Sequence, residues 1–148
     1  MYTSSISIKI NEQKDSSVVS ASQVWQQLLV KARTPMGIVP GVTKSEIVQE
    51  YADGFLRRME IGGQVITEKI TLTPEVQVLF TRVDSPGNEG FIANTLSKLD
   101  DEAILTFTGA VNFAGIKPGS AEEKEAGKKM DAGYAEAMQN VIAQAGKM

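Results

Sequence analysis

Residues 55–73 read Phe-Leu-Arg-Arg-Met-Glu-Ile-Gly-Gly-Gln-Val-Ile-Thr-Glu-Lys-Ile-Thr-Leu-Thr, the pattern of a β-hairpin folded about Gly62-Gly63. The two-residue turns that suit twisted strands need positive φ at their central positions, and glycine adopts it without steric cost. With Gly62-Gly63 as the loop, Ile61 faces Gln64, Met59 faces Ile66, Arg57 faces Glu68 and Phe55 faces Ile70. Side chains alternate across a strand, so these residues share one face of the sheet. That face is apolar except for Arg57 and Glu68. The opposite face, with Leu56, Arg58 and Glu60 against Lys69, Thr67 and Val65, reads as solvated. A charge on a core-facing surface is tolerable when it is paired, so the pattern predicts an Arg57–Glu68 ion pair inside the fold.

Outward from the hairpin, strand-like segments cover residues 42–51, 55–61, 64–73, 76–84, 91–99 and 104–113. They are separated by Asp53-Gly54, Gly62-Gly63, Thr73-Pro74-Glu75, Ser85-Pro86-Gly87-Asn88 and Asp100-Asp101-Glu102, all turn chemistry. Connections this short join antiparallel neighbours. Upstream, residues 2–11 alternate, with Ile6, Ile8 and Ile10 on one side, and supply a seventh strand. Residues 11–20 are polar and read as a loop. Ser20 or Ser22 caps a helix running to about Arg33, with an apolar face of Val24, Trp25, Leu28, Leu29 and Ala32. Pro35 ends it, and Pro40-Gly41 closes a short second turn or helix. Downstream, Lys117-Pro118-Gly119 leads into a long helix over residues 120–145, where Ser120 and Glu123 have capping-box spacing. Its stripe is Ala126, Met130, Tyr134, Ala137, Met138, Val141 and Ala145.

A sheet with one apolar face must be covered, and the final helix is the element long enough to do so. The expected fold is therefore α+β: a curved seven-stranded antiparallel sheet around a long C-terminal helix, with two short helices after the first strand, in one domain of residues 1–148. The stripe of the last helix is lean, built from Ala, Gly and Met. Such a stripe leaves room between helix and sheet, or it packs a loose core.

Composition narrows function. The chain has 148 residues, 42% hydrophobic and 22% charged, with a net charge of −3, and its Lys and Arg are scattered. Nucleic acid is not an expected partner, because phosphate binding needs clustered cations. There is no Cys and no His, which removes disulfide scaffolds, thiolate metal sites, Ser–His hydrolases and nearly all zinc enzymes. No metal or cofactor is expected, and acid–base work would fall to Asp, Glu, Lys, Tyr or Arg. The glycines at 109, 115 and 119 lack the spacing and ending of a phosphate loop. With neither a signal peptide nor an apolar run of membrane-spanning length, the expected location is cytoplasmic and no membrane insertion is expected.

Several short motifs bear a resemblance when taken in order. They are the helix Gln23-Val24-Trp25-Gln26-Gln27-Leu28 running into Lys31-Ala32-Arg33, then Pro35 and Val39-Pro40. Gly54-Phe55 with Arg57, Glu68-Lys69-Ile70-Thr71-Leu72, Asn94 and Leu105-Thr106-Phe107 follow. In these the chain resembles the AtaL-like family of the helix-grip (SRPBCC) superfamily, which includes START lipid-transfer domains, polyketide cyclases and birch-pollen-allergen-like plant proteins. The resemblance implies a ligand cavity between sheet and helix. It does not imply a reaction, since the superfamily contains carriers, receptors and enzymes.

The candidate ligand-binding residues are Arg57, Glu68, Asn94, Tyr134, Phe55, Met59, Ile70, Phe107 and Met138. Arg57 can grip a carboxylate, phenolate or carbonyl oxygen, and Glu68 can accept a hydroxyl or act as a base. Their pairing works against the base role, because the arginine favours the carboxylate as an ion-pair partner. The same pair can simply fix strand register. Asn94 points inward with Ile92 and Leu96 or lies outward. Arg82 faces in if Val76, Val78 and Phe80 do, and out if Leu79 and Val83 do; Pro74 hides that register. Tyr134 offers its hydroxyl to the cavity or to the rim of the core. Trp25 packs the first helix on the sheet or touches ligand.

Two functions fit, and the lack of His leans toward the first. One is binding of a small hydrophobic molecule, such as a lipid, polyketide or aromatic metabolite. The other is a cyclase- or dehydratase-like enzyme acting on such a molecule, with Glu68, Tyr134 or Arg57 assisting proton transfer. A peptide-binding module is a third. The chain is expected as a monomer or homodimer.

Overall fold

The computed structural model describes residues 1–12 and 18–148. Seven strands, β1 (Tyr2–Lys9), β2 (Val42–Tyr51), β3 (Gly54–Ile61), β4 (Gln64–Thr73), β5 (Gln77–Arg82), β6 (Gly90–Leu99) and β7 (Glu102–Val111), form one sheet. Its spatial order is β1-β7-β6-β5-β4-β3-β2, and every pairing is antiparallel. Helix α1 (Ala21–Arg33) follows β1, and α2 (Ala121–Ala145) follows β7.

The central hairpin has the register read from its turn. Gly62 and Gly63 sit at φ 56° and 77°, Ile61 pairs with Gln64, and Arg57 pairs with Glu68. The β6–β7 turn uses the same geometry with Asp100 and Asp101, at φ 50° and 65°. Aspartate tolerates this left-handed region, so the loop is two residues long and Glu102 belongs to the strand. At the β4–β5 turn Glu75 takes φ 59° and Thr73 pairs with Gln77. This closes the register that Pro74 left open: Val78 and Phe80 are buried, and Arg82 stands opposite Glu68 on the inner face.

One helix, not two, follows β1. Residues 35–40 form a turn in which the N–H groups of Ile38 and Val39 both donate to the Pro35 carbonyl (3.0 and 2.9 Å). Gly37 at φ 81° leaves helical space immediately, so no second helix can propagate. The expected loop over residues 11–20 lies partly outside the described residues. At its ends the Asn11 side chain bonds both the N–H and the carbonyl of Val19.

Ser20 caps α1 in a full capping box with Gln23. At α2, Ser120 Oγ accepts the Glu123 N–H, but the Glu123 carboxylate turns instead to the Gly119 N–H and the Met1 amine (both 3.1 Å). The two halves of α2 pack differently. Tyr134, Ala137, Met138, Val141 and Ala145 recur at three- and four-residue spacing and are buried against the sheet and α1. In the first half, Gly127 lies on the Tyr2 ring, where a Cβ would collide, while Ala126, Met130 and Gly133 remain half-buried. The core is thus closed under the end of the helix and open under its middle.

Candidate functional site

Across β3, β4 and β5 the inner face carries the row Arg57, Glu68, Arg82. Arg57 Nη2 donates to Glu68 Oε1 at 2.7 Å, with both side chains buried. Its Nη1 donates to the Ala32 carbonyl at 2.7 Å, so the guanidinium ties the last turn of α1 to the hairpin. Both Nη groups are engaged within the protein, and the buried Nε has no acceptor among the described residues.

A second buried cation sits above this row. Lys31, 3% exposed, donates from Nζ to Asn94 Oδ1 at 2.7 Å and lies 4.7 Å from the centre of the Phe80 ring. Burial, and then repulsion by Arg57, lower its ammonium to about 7, against the pull of Glu68. Tyr134 on α2 stacks on Phe107 with ring centres 4.6 Å apart. Burial first, and the Glu68 charge second, push its phenol up to about 12; Arg82 and Arg57 oppose this weakly.

Beside this interior lies a pocket of about 410 Å³, within the range of small-molecule sites. The middle of α2 forms one wall with Ala126, Met130, Gly133 and Tyr134. The end of the central hairpin faces it with Ile61 and Ile66, and the turn after α1 contributes Val39 and Pro40. Arg82 and Asn88 form its inner polar part, and Gln64 and Lys129 line it at the exposed rim. The loop carrying Asn88 is held down by Ser85, whose Oγ accepts the Thr67 N–H (3.0 Å) and donates to the Thr67 carbonyl (3.2 Å). This places the Asn88 carbonyl to accept from Arg82 Nη1 at 3.2 Å. A Cβ built on Gly133 meets no atom within 4 Å, so the space beside it is open.

Of the residues expected at the site, Tyr134 is on this wall. Arg57, Glu68 and Asn94 form the polar interior behind it, joined by Lys31. Asn94 points inward and is fully buried, and its Nδ2 has no acceptor among the described residues. Phe55, Met59, Ile70, Phe107 and Met138 are buried on the same side of the sheet. Trp25 packs within the core. Lys31, a buried residue that its type alone does not suggest, follows Val24 and Leu28 at helical spacing, i, i+4, i+7.

A sheet of this order, laid around a long C-terminal helix with a pocket between them, defines the helix-grip class. Within that class the chain belongs to the AtaL family, described as acetylaranotin biosynthesis cluster protein L, whose model matches residues 4–148. Solved structures share the fold at low identity. The Zhui aromatase/cyclase from Streptomyces sp. R1128 is 17% identical with a TM-score of 0.65, over 97% of this chain and 94% of that one. Ara h 8.0201 is 14% identical with a TM-score of 0.62, over 97% and 98%. The di-domain aromatase/cyclase StfQ of the steffimycin biosynthetic pathway is 9% identical with a TM-score of 0.73, over 97% of this chain and 50% of that one. No curated protein matches the chain. No helix among the described residues is long and apolar enough to cross a membrane.

Proposed function

We propose that the protein binds a small hydrophobic molecule in the pocket between the middle of α2 and the end of the β3–β4 hairpin. The observation that carries this is Gly133. Glycine in a helix interior costs about 1 kcal/mol relative to alanine, yet no neighbour requires it there, because the position of its missing Cβ is open space on the pocket wall. Gly127, earlier in the same helix, is the contrast, since the Tyr2 ring fills its place. The wall is mainly apolar, with Arg82, Asn88 and Tyr134 as inner polar groups and Gln64 and Lys129 at the rim, as a site for an amphipathic small molecule requires. Arg57 and Glu68 support it from behind by holding α1 to the hairpin. The working location is cytoplasmic.

A second reading is transformation of the bound molecule, favoured by the aromatase/cyclases among the similar structures and by Arg82 beside Tyr134. Arg82 would stabilise an enolate oxygen and the pocket would hold a folded substrate. Tyr134, with its phenol pushed up to about 12, is a weak acid, and Glu68 is committed to Arg57, so neither is poised as a base at neutral pH.

Three variants test the binding reading. Gly133→Ala should stabilise the protein by about 1 kcal/mol and leave room for ligand. Gly133→Phe should fold but fill the pocket. Gly127→Ala should lower the melting temperature through its clash with Tyr2. In native mass spectrometry of freshly purified protein, wild type and Gly133→Ala should carry the same small-molecule adduct and Gly133→Phe should not. An adduct retained in the Phe variant would place binding elsewhere. Incubation of the released molecule with fresh protein separates the two readings, since a carrier returns it unchanged.

A further inference from the structure

Arg82 lies on the inner face directly opposite Glu68, yet the Glu68 carboxylate is ion-paired to Arg57. Among the described residues no carboxylate is in ion-pair contact with Arg82. Its Nη1 donates to a neutral carbonyl, that of Asn88, and its buried Nε–H has no acceptor among the described residues. Among the described residues the inner face thus sets the two guanidinium groups of Arg57 and Arg82, with Lys31 nearby, against the carboxylate of Glu68. A guanidinium withdrawn from water without a counter-charge is costly, and its planar fork is shaped to take two oxygens of an acid. Of these cations, Arg82 is on the pocket wall, whose other cation, Lys129, is exposed to solvent at the rim; Tyr134 stands beside Arg82 with a hydroxyl able to donate to an anionic oxygen.

We propose that the pocket selects hydrophobic carboxylic acids, with Arg82 as the residue that binds the carboxylate and Tyr134 as its second donor. This rests on the pocket being a ligand site, and adds the polarity and charge of the ligand's head. The apolar remainder of the molecule lies along Ile66, Met130 and the gap at Gly133. The ligand supplies the negative charge that the fold leaves out, so selectivity comes from one charge-assisted contact in a partly desolvated site.

The test compares acids with their own esters. Wild type, Arg82→Gln and Arg82→Lys are titrated at one pH and salt concentration with anthracene-2-carboxylic acid, dodecanoic acid and the methyl ester of each. Circular dichroism verifies that the variants fold. Wild type should bind each acid about tenfold or more tighter than its ester. Arg82→Gln should bring acid affinity down to the ester's while leaving ester affinity within about twofold, and Arg82→Lys should keep part of the preference. Equal affinity of acid and ester in wild type, or a preference that survives Arg82→Gln, overturns the proposal and leaves the pocket as a site for neutral molecules. Failure of all four compounds to bind wild type overturns this proposal; it overturns the binding reading as well only where native mass spectrometry of the fresh protein shows no adduct either.

Discussion

Glu68→Gln is expected to cost about 3–5 kcal/mol of folding free energy, enough to make a domain of ordinary stability marginal. The substitution keeps the shape of the side chain and removes the only negative charge in the inner row Arg57, Glu68, Arg82. Arg57, 4% exposed, would then hold a bare cation in the core with Lys31 and Arg82 nearby. Replacing both partners with apolar residues removes the problem along with the bond. Arg57→Met/Glu68→Leu should therefore be less destabilised than the sum of Arg57→Met and Glu68→Leu by at least about 2 kcal/mol. The double variant still loses the Arg57 bond to the Ala32 carbonyl, so it should not reach wild-type stability. Urea unfolding of the four proteins measures the coupling; simple additivity would mean that the pair is not a buried unit.

The second large effect is a pH dependence from Lys31. An unfolded chain holds the proton on this lysine up to about pH 10.5, whereas the folded chain gives it up near 7. Between those values the unfolded state binds more protons, so folding stability rises with pH, by at most about 1.4 kcal/mol per unit. Below about pH 7 the folded protein carries the buried ammonium and bears the whole penalty. Wild type should thus gain melting temperature from pH 6.5 to 9 relative to Lys31→Met, which shares every other titrating group. The Met variant leaves Asn94 Oδ1 without its donor, a loss that shifts its curve but adds no slope of this kind. Parallel curves for the two proteins would contradict the assignment of a neutral, buried lysine.

The fold was legible because its decisive turn is local. Gly62-Gly63 admits one register, and that register places Arg57 opposite Glu68 without any tertiary information. A chemically ambiguous turn carries no such information: Pro74 hides the facing of Arg82, and the three-residue turn with Glu75 at positive φ settles it. Residues 35–40 are compatible in sequence with a short second turn or helix, and Gly37 at positive φ makes them a turn. Lys31 shows the other limit. A lysine in the last turn of a helix is ordinarily a solvated partner of the helix dipole. Its place on the buried face with Val24 and Leu28 is visible in the spacing, but the carbonyl of Asn94 that receives it comes from a strand 63 residues away. The pocket itself depends on how the middle of α2 stands off the hairpin, which no local pattern encodes, although the lean stripe at Ala126 and Met130, with Gly133 beside it, contains the reason for it.

The claim that the gap at Gly133 receives a ligand is tested most directly by amide and methyl NMR spectra recorded during titration with dodecanoic acid and anthracene-2-carboxylic acid. Saturable shifts should concentrate at Ile66, Arg82, Met130, Gly133 and Tyr134, and Gly133→Phe should abolish them while its own spectrum stays that of a folded protein. Shifts confined to the outer face of the sheet, around Val65 and Phe91, or a response unaltered by filling the gap, would contradict it.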